Sequence, residues 1–277
     1  ILIMCGMAAG FASLFGTPLA GTLFAMEIII LGKVRYRGLL PILLSALVAN
    51  YVCDLWPIEH AIYAIKKVPD FNLLNLCWVL LASIGFGLVA MFFSKGLFWL
   101  SNYFKKVIRH DFQRAFIGGI IVSFLIYIFG FKYAGLGLET IADSFKVIQG
   151  IEVFALKIGL TLLTLSAGFK GGEVTPLFFI GASFGSSLSL LLPLEVDLLA
   201  GIGLVAVFAG ATNSPIACSI MGMELFGFDA AIFIVLACFV SYYFSGHTGI
   251  YSSQIIGRPK YFFLPSLKGK RLRDLMK

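Results

Sequence analysis

Six consecutive residues, Gly171-Gly172-Glu173-Val174-Thr175-Pro176, combine groups that could handle an anion. They stand at the head of an apolar run, Leu177 to Leu192, that has the composition of a membrane helix. Amides at the start of a helix have no intrahelical acceptor and carry about half a positive charge, so they form a ready anion site. The glycines upstream allow close backbone approach to an ion. Thr175 adds a hydroxyl donor. Glu173 adds a group that repels an anion when ionised and donates a hydrogen bond when protonated. Inserting a carboxylate at membrane depth costs roughly 2.5–3.5 kcal/mol, so such a residue marks a functional position by default. Two bland roles for Glu173 are a helix cap and an ion pair with Lys170. The three amides near Glu173, Val174 and Thr175 can replace part of an anion's hydration shell without a full fixed positive charge, so the ion can leave again.

The elements that must hold these groups are read from composition and punctuation. The chain has 277 residues, 60% hydrophobic and 13% charged, with a mean hydropathy of +0.98. Soluble domains are nearer half apolar and a quarter charged. The chain is therefore expected to be an all-α integral membrane protein, multi-pass, sitting in the cell (inner) membrane. Leu73 to Leu100 is long enough to cross a bilayer, and Phe116 to Phe131 and Phe154 to Ala167 are further candidate spans. Leu39 to Cys53 is short. After Pro176 the apolar pieces become half-length: Leu198 to Ala211, Pro215 to Phe228 and Ala230 to Phe244. Broken helices of this kind are tolerated at membrane depth only where they line a cavity or are covered by protein.

Charge distribution sets the orientation. Lys33, Arg35 and Arg37, then Lys105, Lys106, Arg109 and Arg114, then the cluster from Arg258 to Arg273, all sit at segment ends. This is the positive-inside pattern, which places them in the cytoplasm and the loop from Asp54 to Asp70 on the far side. The net charge of +7 is thus accounted for without nucleic acid. The basic tail is expected to meet anionic lipid headgroups. Lys157 and Lys170 are expected to snorkel. The five cysteines form no CxxC pair and read as small buried hydrophobes, and His60, His110 and His247 are dispersed; no metal or cofactor is expected. There is no HExxH and no pair of aspartates in the spans, which argues against an intramembrane hydrolase and for a protein that is not an enzyme.

One segment is repeated. Gly6, Ala9, Phe11, Ala12, Pro18, Ala20, Met26 and Glu27 recur at a constant offset as Gly203, Ala206, Phe208, Ala209, Pro215, Ala217, Met223 and Glu224. Both copies read helix, small-residue turn, proline, helix, carboxylate. Thr17-Pro18 and Ser214-Pro215 are predicted helix starts, with the hydroxyl as cap. Asn213 and Ser214 are assigned to capping, and Glu27 and Glu224 to an interfacial structural role. Internal repeats are a mark of transporters whose substrate site lies between the halves.

These residues resemble the CLC family of chloride channels and anion/proton antiporters. The resemblance runs from Ala8-Ala9-Gly10-Phe11 through Phe15-Gly16-Thr17-Pro18 to Met26-Glu27, with Gly135-Leu136-Gly137 and Gly172-Glu173-Val174-Thr175-Pro176, and ends near Ile250-Tyr251-Ser252. It implies an inverted-repeat fold of many short, tilted and broken helices. Residues 1–54 would be the end of the first repeat, 55–250 the second, and 251–277 a C-terminal helix with a basic cytoplasmic tail. It implies a homodimer built through Pro18–Glu27 and Pro215–Glu224, and it assigns the Tyr251 hydroxyl to the central anion. The anion-binding set is then Gly172, Glu173, Val174, Thr175 and Tyr251, with Glu173 as the proton-coupling residue. His247, four residues before Tyr251, is expected to orient it. Val174 stands where the family pattern has Phe, and Ile28 where chloride/proton exchangers carry an internal glutamate. Glu173-Val174-Thr175-Pro176, with His247-Thr248-Gly249-Ile250-Tyr251, looks like the fluoride-exporting branch. The implied function is fluoride export coupled to proton entry. The alternative is a voltage-gated-type chloride channel or a chloride/proton antiporter of the same fold. Ile1 falls inside an apolar segment, and the family's serine loop and gating-glutamate helix are expected to precede it.

Overall fold

Proline, glycine and the polar turns cut the chain into helices of very unequal length. The computed structural model describes residues 1–56 and 63–275. His60, the middle of the Asp54–Asp70 loop and the last two residues of the basic tail lie outside the described residues. The helices are α1 (Leu2–Phe15), α2 (Pro18–Glu27), α3 (Leu39–Asp54), α4 (Leu73–Val107), α5 (Asp111–Phe129), α6 (Leu138–Ser144), α7 (Ile151–Ser166), α8 (Val174–Leu188), α9 (Val196–Thr212), α10 (Pro215–Phe226), α11 (Ala231–Phe244) and α12 (Leu272–Leu275). Two-residue strands β1 (Ile30–Leu31) and β2 (Ile255–Ile256) pair in parallel, joining the end of α2 to the C-terminal segment. Of the described helices, α4 and α5 are long and apolar enough to cross a membrane, while α1, α3, α8, α9, α10 and α11 are shorter apolar helices.

The centre of the molecule is α9, buried at every residue from Leu198 to Thr212. Against it lies α8, and the contact is backbone to backbone. A Cβ on Gly181 would stand 2.3 Å from the Gly203 carbonyl oxygen, and one on Gly185 would stand 2.0 Å from that of Leu199. Small residues four apart are what lets two apolar helices approach this closely. This contact fixes the axis of α8, and so the place where its N-terminus ends.

The repeated segments share their backbone turn. Gly16 ends α1 at φ 68°, ψ 26°, and Asn213 ends α9 at φ 61°, ψ 38°. The next residues, Thr17 (φ −126°, ψ 76°) and Ser214 (φ −128°, ψ 64°), are equally matched. Both helices start at the proline, as the sequence predicts. The caps are different from those expected. Neither hydroxyl bonds a first-turn amide. Thr17 Oγ1 is buried without a partner among the described residues, and Ser214 Oγ lies 2.6 Å from Thr212 Oγ1. The amides of Leu19 and Ala20 donate instead to Glu224, at 3.0 and 2.8 Å. Those of Ile216 and Ala217 donate to Glu27, at 3.3 and 2.9 Å. A carboxylate brings charge as well as an acceptor to the helix N-terminus, so it displaces the weaker hydroxyl cap.

The C-terminal segment also departs from expectation. Its described part holds β2, a 3-10 turn (Pro265–Leu267) and the four-residue α12 in place of one longer helix. Pro259 and Pro265 remove amide donors, and Gly269 takes a left-handed φ of 85°, so a continuous helix is interrupted three times in succession.

Candidate anion site

Helix α8 begins at Val174, two residues before Pro176, and Glu173 occupies its N-cap position. Proline in the first turn loses nothing, because the amide it lacks would have had no intrahelical acceptor. The first-turn donors are therefore the amides of Val174 and Thr175, with that of Glu173 just ahead. Gly172 is exposed, and a Cβ there would meet nothing within 4 Å, so its small size is not required by packing. In this loop it is Gly168, at φ 99°, whose backbone needs glycine.

Glu173 performs neither bland role. Its side chain makes no cap hydrogen bond, and none of the ion pairs among the described residues includes it. It is half-buried and lines a cavity of about 430 Å³ together with Lys170, Ser101, Asn102, Lys105 and Ser252. Lys105 belongs to the basic cluster at the end of α4, so the cavity opens on the face assigned to the cytoplasm.

The segment around Tyr251 is brought to the same place. Gly249, Ile250 and Ser252 line the Glu173 cavity, while Tyr251 itself lines a neighbouring cavity of about 370 Å³ with Phe24, Ile28 and Gln254. The Tyr251 ring stands edge-on to Phe24, centroids 6.5 Å apart. Val174 packs on the central apolar cluster, as do Ile250 and Tyr251. Thr175 lines a second cavity of about 560 Å³, with Phe15, Tyr63, Leu136, Phe178 and Met221. The start of α8 thus separates two cavities, with Glu173 facing one and Thr175 the other.

Two side chains have roles that sequence patterning misassigns. Lys157 does not snorkel. It is buried, with Nζ donating to the carbonyls of Tyr133 (3.1 Å) and Gly135 (2.9 Å) and lying 4.8 Å from the Phe179 ring centre. An ammonium this deep is held by carbonyls at the end of the Phe131–Tyr133 turn and by an α8 ring face. His247 does not reach Tyr251; its Nε2 accepts from the Lys260 amide at 2.9 Å. Asn213 caps the end of α9 as expected, its backbone amide donating to the Ala209 carbonyl, and its side chain adds bonds to Thr248 and Gln254.

Residues 1–246 match the family model described as "Voltage gated chloride channel". The chain belongs to the CLC family. Its fold is that of the family: it superposes on a solved CLC-type fluoride/proton antiporter with a TM-score of 0.86, at 38% identity over 90% of this chain and 64% of that one. A slow cyanobacterial chloride/proton antiporter gives a TM-score of 0.74 at 20% identity, over 99% of this chain and 63% of that one, which shows the fold alone. In sequence the chain is 42% identical to the "Chloride/fluoride channel protein" of Pseudomonas syringae pv. tomato, covering 94% of this chain and 59% of the relative. It is 30% identical to the "Voltage-gated ClC-type chloride channel ClcB" of Escherichia coli O81, over 86% of this chain and 60% of that protein. The chain therefore spans about three fifths of the length of the relatives it matches. Membership in the family, with these superpositions, bears out the all-α membrane fold expected from the sequence.

Proposed function

We propose that the protein exports fluoride in exchange for protons, as a multi-pass, homodimeric protein of the bacterial inner membrane. Glu173 carries the reading: a carboxyl at the N-terminus of α8, without cap bond or ion pair among the described residues, facing a cavity that the residues flanking Tyr251 also line. Protonated, Glu173 offers a donor to a small, strongly hydrated anion beside the amides of Val174 and Thr175. Ionised, it repels that anion. Alternation between the two states links the movement of one ion to that of the other. Gly172 contributes backbone, Tyr251 an O–H donor, and Thr175 a hydroxyl on the far side of the helix start. Residues 1–54 are assigned to the end of one repeat and 55–250 to the other, and Pro18–Glu27 and Pro215–Glu224 to the contact between subunits.

The likeness to a fluoride/proton antiporter at 38% identity favours fluoride over chloride. Reconstitution of the full-length protein into liposomes loaded with fluoride or chloride tests the choice. Fluoride efflux well above chloride efflux, with alkalinisation of the outer medium as protons enter, is expected. Chloride efflux at an equal or greater rate would assign the protein to the chloride channels or chloride/proton antiporters instead.

A further inference from the structure

Asn213 is the one non-glycine residue at positive φ among the described residues. Its counterpart in the other repeat, in the same turn, is Gly16. Glycine takes this conformation without steric cost, so an asparagine here calls for a reason in its side chain. Asn213 Nδ2 donates to the Thr248 carbonyl at 2.9 Å and to Gln254 Oε1 at 3.0 Å. Gln254 Nε2 in turn donates to the carbonyls of Ile28 (2.8 Å) and Thr212 (3.3 Å). Asn213 is 1% exposed and Gln254 3%. Together with the Ile250 amide on Ala211 O (2.9 Å), these bonds fix positions 248, 250 and 254, on both sides of Tyr251. Gly249 fits only without a side chain, since a Cβ would stand 2.6 Å from Asn213 Nδ2.

Tyr251 needs such support. It lies in no helix, and its hydroxyl has no hydrogen-bond partner among the described residues. Its neighbours in the chain are held by the α9–α10 turn of one repeat and, through Gln254, by Ile28 just beyond α2 of the other. We infer that Asn213 and Gln254 form a positioning pair that sets where the Tyr251 phenol meets the anion, and thereby the affinity of the site. This rests on the reading of Tyr251 as an anion contact. The asymmetry of the repeats fits this: the turn that carries the amide side chain is the one bonded to the segment around Tyr251.

The test is a double-mutant cycle on the full-length protein, with fluoride and chloride affinities measured by titration calorimetry. Asn213→Gly keeps the left-handed turn and removes only the amide. It is expected to weaken binding of the transported anion about tenfold, the order of one hydrogen bond to a charged group. In a Tyr251→Phe background the same substitution is expected to change affinity by less than about twofold, because the two residues act as a unit. Gln254→Leu provides a second cycle with the same expectation, and decides the matter if Asn213→Gly does not fold. Asn213→Gly with wild-type affinity, or equal losses in both backgrounds, would overturn the pairing. Tyr251→Phe without effect on either anion would overturn it as well. Wild-type protein that binds chloride and not fluoride would overturn the fluoride reading alone, and the cycle is then decided with chloride.

Discussion

Glu27 and Glu224, equivalent residues of the two repeats, each cap the helix on which the other stands. Glu27 takes the amides of Ile216 and Ala217 at the start of α10, and Glu224 those of Leu19 and Ala20 at the start of α2. The two helix starts are thus satisfied across the repeat boundary, and the boundary is held by four amide-to-carboxyl hydrogen bonds. Removing either carboxylate leaves two first-turn amides without an acceptor. Glu27→Ala and Glu224→Ala are each expected to cost about 1–2 kcal/mol, the upper range for losing an N-cap. Thermal unfolding of the purified protein in detergent measures this. A Glu27 variant of unchanged melting temperature that no longer moves protons would place Glu27 in ion coupling instead.

A second prediction concerns the close contact of α8 and α9. Gly185→Val puts branched carbon where the Leu199 carbonyl oxygen already stands, so the helices must separate. Overpacking of this kind costs roughly 1–3 kcal/mol, and here it also displaces the α8 N-terminus. Fluoride affinity and melting temperature are expected to fall together. A stable variant with normal affinity would show that the position of α8 is set elsewhere.

A third prediction is a pH dependence of the C-terminal segment. His247 Nε2 accepts the Lys260 amide, which requires a neutral ring. Burial first, and then the nearby Lys260 charge, hold the His247 pKa down to about 4, against 6.5 for an unhindered histidine. The unfolded chain therefore binds the proton first as pH falls. The contribution of this contact is complete above about pH 6.5 and is lost progressively towards pH 4. Limited proteolysis of the tail across that range is expected to accelerate below pH 6.5 and to lose this step in His247→Gln. A cleavage rate independent of pH would show that the histidine contact does not hold the segment.

The helix breaks of the second half were legible because Pro176, Pro215 and the turn at Asn213 interrupt apolar runs, and proline and glycine act locally. The repeat was legible because two copies of the same turn need the same small residues. The function of Glu27 and Glu224 was legible only in part. Their structural role follows from ending apolar runs, but the amides they accept lie in the other repeat, and nothing local encodes that pairing. The same holds for Lys157, whose two carbonyl partners are supplied by the turn before α6, and for Gln254, a single amide in an unremarkable loop. Asn213 carried a signal that was available: it stands opposite Gly16 in the aligned repeats, an exchange that forgoes the easier residue for a left-handed turn. The tail was misread because Tyr251 to Lys277 is basic and contains apolar residues, while Gly257, Pro259, Pro265 and Gly269 forbid a long helix.

The central claim, that a carboxyl at the start of α8 couples the two ions, is tested most directly by comparing proton uptake with fluoride efflux in liposomes carrying wild-type protein or Glu173→Gln. Wild type is expected to take up protons in fixed proportion to the fluoride released, and Glu173→Gln to lose most of that proton uptake. An unchanged ratio of protons to fluoride in Glu173→Gln would contradict the account.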